Sequence, residues 1–271
     1  MTRKLFHKIE GSGTPLLLIH GFTGSHKSFD KISNFLKIYF KVITIDMIGH
    51  GKSMDYKKEN YSFDQSIHDI SSILESQSLK KINILGYSLG GRLAMQFVNK
   101  NPNKINKLII CSASNGIKNK KERENRIISD SKIIHLLENY PLDHFVNYWQ
   151  NLKLWQSEKR LDIKKIIQLR KIRLTQNKIG LALSLSNQGQ GVQEYLGDQL
   201  RSIKANTLIM FGEKDKKYKE ISKEIHNLIE NSKLEMVPNS GHNIILENPI
   251  FISQKVKHFI LGEKNENKLA I

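Results

Sequence analysis

Residues 84–95 read ILGYSLGGRLAM. Two aliphatic residues, Ile84 and Leu85, run into Gly86-Tyr87-Ser88-Leu89-Gly90, and a helical pattern follows. A Gly-x-Ser-x-Gly motif between a strand and a helix lifts a serine hydroxyl out of a sharp turn. The glycines have a steric reason. The serine sits in a strained backbone conformation, so close neighbours must lack side chains. The N-terminus of the following helix favours negative charge at the serine. The stretch thus predicts a strand-turn-helix unit and a reactive hydroxyl, Ser88.

Short apolar runs bounded by turn signals recur on both sides of this unit. They are PLLLIH (15–20), KVITID (41–46), INILG (82–86), KLIICSA (107–113), NTLIMFG (206–212) and SKLEMVP (232–238). Such runs suit strands buried on both faces of a parallel sheet. Helical patterns lie between them. Residues 62–76 open with a Ser-x-x-Gln capping box and place Phe63, Ile67, Ile70, Ile73 and Leu74 on one face. Residues 89–100 and 219–230 are helical as well. The alternation predicts an α/β fold with a doubly wound, mostly parallel sheet. It breaks at residues 114–198, which hold several helical stretches and no convincing strand. That segment reads as a helical cap inserted over the carboxyl ends of the strands, where α/β sheets bind ligands. The core is then 1–113 with 199–262, and residues 263–271 form a polar tail.

The chain has 271 residues and a formal net charge of +17. The basic residues do not form a stripe. Residues 114–198 carry 15 Lys and Arg against 9 Asp and Glu, a charge density close to that of the remainder. Nucleic-acid binding is therefore not expected. No run approaches a transmembrane helix, and the N-terminus lacks the apolar stretch of a signal peptide. A cytoplasmic protein, or one of a compartment like the plastid stroma, is expected. The single cysteine, Cys111, allows no internal disulfide and reads as a buried small residue. No metal-ligand spacing and no dinucleotide loop is present, so no cofactor is expected.

A serine needs a general base and an orienting acid. In this kind of fold they follow in the order Ser, Asp or Glu, His. Asp215 comes just after the fifth apolar run, in GEKDKKY, and His242 just after the sixth, in NSGHN. Both fall in loops at strand carboxyl ends. His242 would accept the Ser88 proton and Asp215 would hold the histidine tautomer. An oxyanion hole needs two backbone N–H donors. Leu89, after the serine, supplies one, and Phe22, in the loop HGFTGS, the other. His20 and His50, in HG and GHG turns, read as structural.

Together, LLLIHGFTGS, IDMIGHGKS, GYSLGGR, GEKDKKY and SGHN resemble the α/β-hydrolase superfamily. Their combination resembles the 2-succinyl-6-hydroxy-2,4-cyclohexadiene-1-carboxylate (SHCHC) synthases of menaquinone and phylloquinone biosynthesis, from about Pro15 to Pro249. The resemblance implies an elimination, a carbon–oxygen lyase reaction, on a small polycarboxylate. Pyruvate leaves an enolpyruvyl substrate, and Ser88 acts as a base. It also implies substrate contacts from Tyr87 and Arg92. In the cap it points to Arg123, with Arg126 next, to Trp149 in FVNYW and to Arg173 in RKIRL. Two departures stand out: Lys118 replaces an expected glutamine, and NQGQGVQEYL lacks an expected Pro and Trp. The triad motif suits elimination and ester or C–C bond hydrolysis alike. Arg92 favours the first, since guanidinium binds carboxylate bidentately.

Overall fold

The computed structural model describes residues 5–262. The tail expected over residues 263–271 lies outside them. The strands are β1 (His7–Glu10), β2 (Thr14–Ile19), β3 (Phe40–Ile45), β4 (Ile82–Tyr87), β5 (Ile105–Cys111), β6 (Asn206–Gly212) and β7 (Ser232–Val237). They form one sheet in the order β1-β3-β2-β4-β5-β6-β7. β1 runs antiparallel to β3, and every other neighbouring pair is parallel.

Five of the six apolar runs become central strands covered on both faces; the sixth, β7, is an edge strand that leaves Lys233 and Met236 exposed. In β2, Leu17 and Ile19 enter one core cluster while Leu16 and Leu18 enter the other. This is the two-residue period of a strand with a core on each side. Helices α1 (Asp30–Leu36), α2 (Phe63–Ser76) and α3 (Leu89–Lys100) precede the cap. α2 and α3 cover the Leu17 face, and Ile32 and Leu36 of α1 cover the other. α2 is capped by Ser62, whose side chain accepts from the Gln65 amide. The reciprocal half of the expected capping box is not made. Gln65 Nε2 instead donates to Asp69 Oδ1 one turn on, at 3.1 Å, because that acceptor lies on the same helix face.

Strand β1 was not expected from the sequence. It is a four-residue edge strand with two charged side chains, so it lacks the apolar signature of the central strands.

Between β5 and β6 lie α4 (Lys120–Asn139), α5 (Leu142–Gln150), α6 (Ile163–Leu174) and α7 (Lys178–Gln188), with no strand among them. Ile133, Leu137, Phe145, Val146, Trp149, Trp155 and Leu185 give these helices a cluster of their own. Phe22, from the loop after β2, packs against both this cluster and the sheet core. The chain closes with α8 (Lys216–Leu228), α9 (Ile244–Glu247) and α10 (Pro249–Leu261). No helix among the described residues is long and apolar enough to cross a membrane. Cys111 is buried at the end of β5, and burial pushes its thiol pKa upward.

Candidate active site

The turn after β4 places Ser88 at φ 51° and ψ −111°, immediately before α3. A residue with a Cβ rarely adopts this backbone. The flanking glycines do not themselves need a positive φ; they need space. A Cβ on Gly86 would lie 2.3 Å from the Gly90 carbonyl oxygen, and one on Gly90 would lie 2.2 Å from that of Ile19. The Ser88 amide is tied to Cys111 O at 2.9 Å, which anchors the elbow to β5.

His242 follows β7, and its Nε2 lies 3.1 Å from Ser88 Oγ. Its Nδ1 lies 3.0 Å from Asp215 Oδ2. A carboxylate can only accept, so Nδ1 carries the proton and Nε2 is free to accept from the hydroxyl. Asp215 also caps α8, accepting from the Tyr218 amide at 3.2 Å. That second bond fixes the carboxylate that orients the imidazole. The rings of Tyr218, Trp155 and Tyr87 stand 4.3, 5.4 and 5.7 Å from His242 and shield it from water.

The loop after β2 brings Phe22 beside the elbow. Neither the Phe22 nor the Leu89 amide donates to another group among the described hydrogen bonds. His20 and His50 brace this loop. His20 accepts from the Met47 amide at Nε2 (3.0 Å) and donates from Nδ1 to Gly21 O (2.8 Å), so it is neutral. His50 packs edge-on against Phe22, with centroids 5.7 Å apart. Burial, and then the neighbouring His20, hold the His50 pKa down at about 3.

The cavity at Ser88 and His242 is lined by Phe22, Tyr87, Leu89, Trp149 and Trp155, and by three cations, Arg92, Arg126 and Lys217. Arg92 is almost fully buried. Its Nη1 donates to Gln188 O (2.7 Å) and to Gln193 Oε1 (3.0 Å). No carboxylate lies within ion-pair distance of it among the described residues, and burial lowers its pKa to about 10. Arg126 donates to Asp130 Oδ1 (2.8 Å) and to Gln190 Oε1 (2.5 Å). Tyr87 also faces the cavity; its buried hydroxyl has no partner among the described residues, and burial raises its pKa well above the usual phenol value. Among the described residues no group of three His, Cys, Asp or Glu could hold a metal ion.

The chain matches the α/β-hydrolase fold family over residues 14–249. A Bacillus subtilis (strain 168) protein with the provisional name SHCHC synthase is 34% identical over 246 residues, covering 90% of this chain and 89% of that one. An SHCHC synthase of Enterobacter sp. (strain 638) is 25% identical over 238 residues, 88% of each chain. The solved structure of MenH from S. aureus superposes with a TM-score of 0.91 at 31% identity, covering 96% of this chain and 99% of that one. The chain belongs to the SHCHC synthase family of α/β-hydrolase-fold proteins.

Two of the arginines expected in the cap, Arg123 and Arg173, lie outside the lining of the cavity at Ser88. Arg123 does not line the cavity. Arg126 does, three residues or about 4.5 Å of helix rise further along α4. Arg123 instead sits in the first turn of α4, where its carbonyl backs onto Gly191. Arg173 is also absent from the cavity. It lines an adjoining space that shares Phe22, Tyr87 and Trp155 with the cavity, and it pairs with Glu158, at 3.1 and 3.2 Å to the two carboxylate oxygens. Both partners are buried, so each neutralises a charge that would otherwise be stranded. Asn243, next to His242, donates to the same Glu158 at 2.8 Å and links this pair to the loop that carries His242.

Lys118 lines an outer groove instead of the cavity. The stretch NQGQGVQEYL supplies Gln188, Gln190 and Gln193, which hold Arg92 and Arg126 in place. Glutamine spacing in a loop carries no signal of such a role. Lys217 was missed although it lies two residues after Asp215, because it reads as one of several lysines on a charged helix.

Proposed function

We propose that this chain is an SHCHC synthase that removes pyruvate from 2-succinyl-5-enolpyruvyl-6-hydroxy-3-cyclohexene-1-carboxylate. The observation that carries the reading is a Ser–His–Asp relay opening onto a cavity with three cations. A substrate with three carboxylates needs such a wall, and a plain ester does not. Ser88, Asp215 and His242 are the catalytic set, Phe22 and Leu89 the oxyanion donors. Arg92 is a carboxylate ligand, with Arg126 taking the cap position first given to Arg123, and Tyr87 and Trp149 wall the ring.

In this reading Ser88 Oγ takes the proton from C2, beside the succinyl carbonyl, and passes its own to His242 Nε2. The carbonyl oxygen gains charge as the enolate forms, and the two backbone N–H groups hold it. The electron pair then moves through the ring double bond to leave C2=C3 and C4=C5. The C5–O bond breaks, and enolpyruvate departs and takes a proton on carbon to become pyruvate. No acyl-enzyme forms, because nothing adds to the carbonyl carbon. Such a biosynthetic step belongs in the cytoplasm.

The test is pyruvate release from the enolpyruvyl substrate, followed beside p-nitrophenyl ester hydrolysis. The expected outcome is rapid release with little esterase activity. Efficient ester cleavage without pyruvate release would overturn the proposal.

A further inference from the structure

Among the three cations of the cavity, Lys217 is placed differently from the arginines. It borders the catalytic cavity with Ser88 and His242, and it also borders an outer groove with Lys118, Asn119 and Glu122. Arg126 and Gln190 are shared by the two spaces as well, so these three side chains form the mouth. The arginines are committed to protein. Arg92 is held by Gln188 and Gln193, and Arg126 by Asp130 and Gln190. Lys217 makes no hydrogen bond or ion pair among the described residues. Its ammonium stands 5.9 Å from the Tyr218 ring, which itself lies 4.3 Å from His242. The side chain is exposed, yet enough of it is enclosed for burial, and then Arg126, to lower its pKa.

We propose that Lys217 receives the carboxylate of the enolpyruvyl group at the cavity mouth. The inference rests on the elimination reading above. Of the three substrate carboxylates, two stay with the ring product and one departs with pyruvate. The departing group must face the open side. Arg92, buried and braced, suits a carboxylate that the product keeps. A lysine at the mouth suits one that must leave, since a flexible, strongly hydrated point charge releases an anion more readily than a fixed guanidinium fork.

The experiment compares wild type, Lys217→Met and Lys217→Arg on the parent substrate and on its methyl ester at the enolpyruvyl carboxylate. In wild type the ester should raise KM about tenfold, the weight of one charge-assisted pair at an accessible site. Lys217→Met should raise KM for the parent by a similar factor, with the loss falling on KM and not on kcat, and should no longer discriminate parent from ester. Lys217→Arg should recover most of the discrimination. Inhibition by SHCHC, which has lost the enolpyruvyl carboxylate, should be equal in wild type and Lys217→Met. If Lys217→Met still prefers the parent tenfold, or weakens SHCHC inhibition by as large a factor as it raises KM for the parent, the assignment is wrong. A wild-type enzyme that releases no pyruvate would overturn the functional reading itself; one that does, with variants that keep the discrimination, overturns only the role of Lys217.

Discussion

Replacing Ser88 with glycine should leave the protein more stable than replacing it with alanine. At φ 51° and ψ −111° any residue with a Cβ is strained, by about 1–3 kcal/mol. Alanine keeps the Cβ and the strain, and glycine removes both. Glycine returns about 0.5–1 kcal/mol through its greater freedom in the unfolded chain. Both variants lose the 3.1 Å contact with His242, so that loss, about 1 kcal/mol, cancels in the comparison. Glycine should therefore exceed alanine by about 0.5–2 kcal/mol, or roughly 1–8 °C in Tm for a chain of this size. Urea titrations of the two variants should show a shifted midpoint at a common slope. Gly86→Ala is the opposite control. Its Cβ would lie 2.3 Å from the Gly90 carbonyl oxygen, so the backbone must move and stability must fall. Alanine at 88 as stable as glycine, or more so, would mean that the elbow stores no strain at Ser88.

Four further outcomes are expected. Ser88→Ala should lose more than tenfold in kcat/KM for pyruvate release, more than ~1.4 kcal/mol of barrier; retention of a tenth of the activity would remove Ser88 as the base. Intact-mass spectra during turnover should show no adduct on Ser88, and a kinetically competent acyl-serine would move the assignment to hydrolysis. Arg92→Lys and Arg92→Ala should both lower kcat/KM for the tricarboxylate by about tenfold or more, one charge-assisted bond of ~1.5–3 kcal/mol, while a simple ester is little affected; equal, small losses on both substrates would leave Arg92 a packing residue. Stability should fall as pH drops from about 6.5 towards 3, because unfolded His50 binds a proton that the folded state, with its pKa near 3, refuses. Stability is full above 6.5, and at pH 5 the loss from this residue is about 2 kcal/mol. A His50→Phe variant should show a shallower acid limb in chemical denaturation, and an unchanged limb would mean that His50 titrates normally.

The sequence by itself determined the parts governed by local pattern. Five of the seven strands are legible because a run such as Leu16–Ile19 must be apolar at every position when both faces are covered; β7, at the sheet edge, is legible from Leu234, Met236 and Val237 although Lys233 and Met236 stay exposed. Ser88, Asp215 and His242 are legible because each sits where a strand ends, and strand ends in a parallel sheet converge. Tertiary structure decided what depends on helix rotation and distant pairing. α4 could turn either Arg123 or Arg126 inward, and in the fold it is Arg126 that lines the cavity, held there by Asp130 and Gln190. Arg173 looks like a free cation until Glu158, fifteen residues away in the chain, is brought against it in a buried pair. Strand β1 exists only because β3 offers an edge for it. Gln188, Gln190 and Gln193 acquire a purpose only when α7 and the loop after it pass beside Arg92 and Arg126. Gln188 offers Arg92 only its backbone carbonyl, and Gln190 and Gln193 offer neutral side-chain amides; neither kind of acceptor has a pattern along the chain, and its role is set by the charge that the fold places beside it.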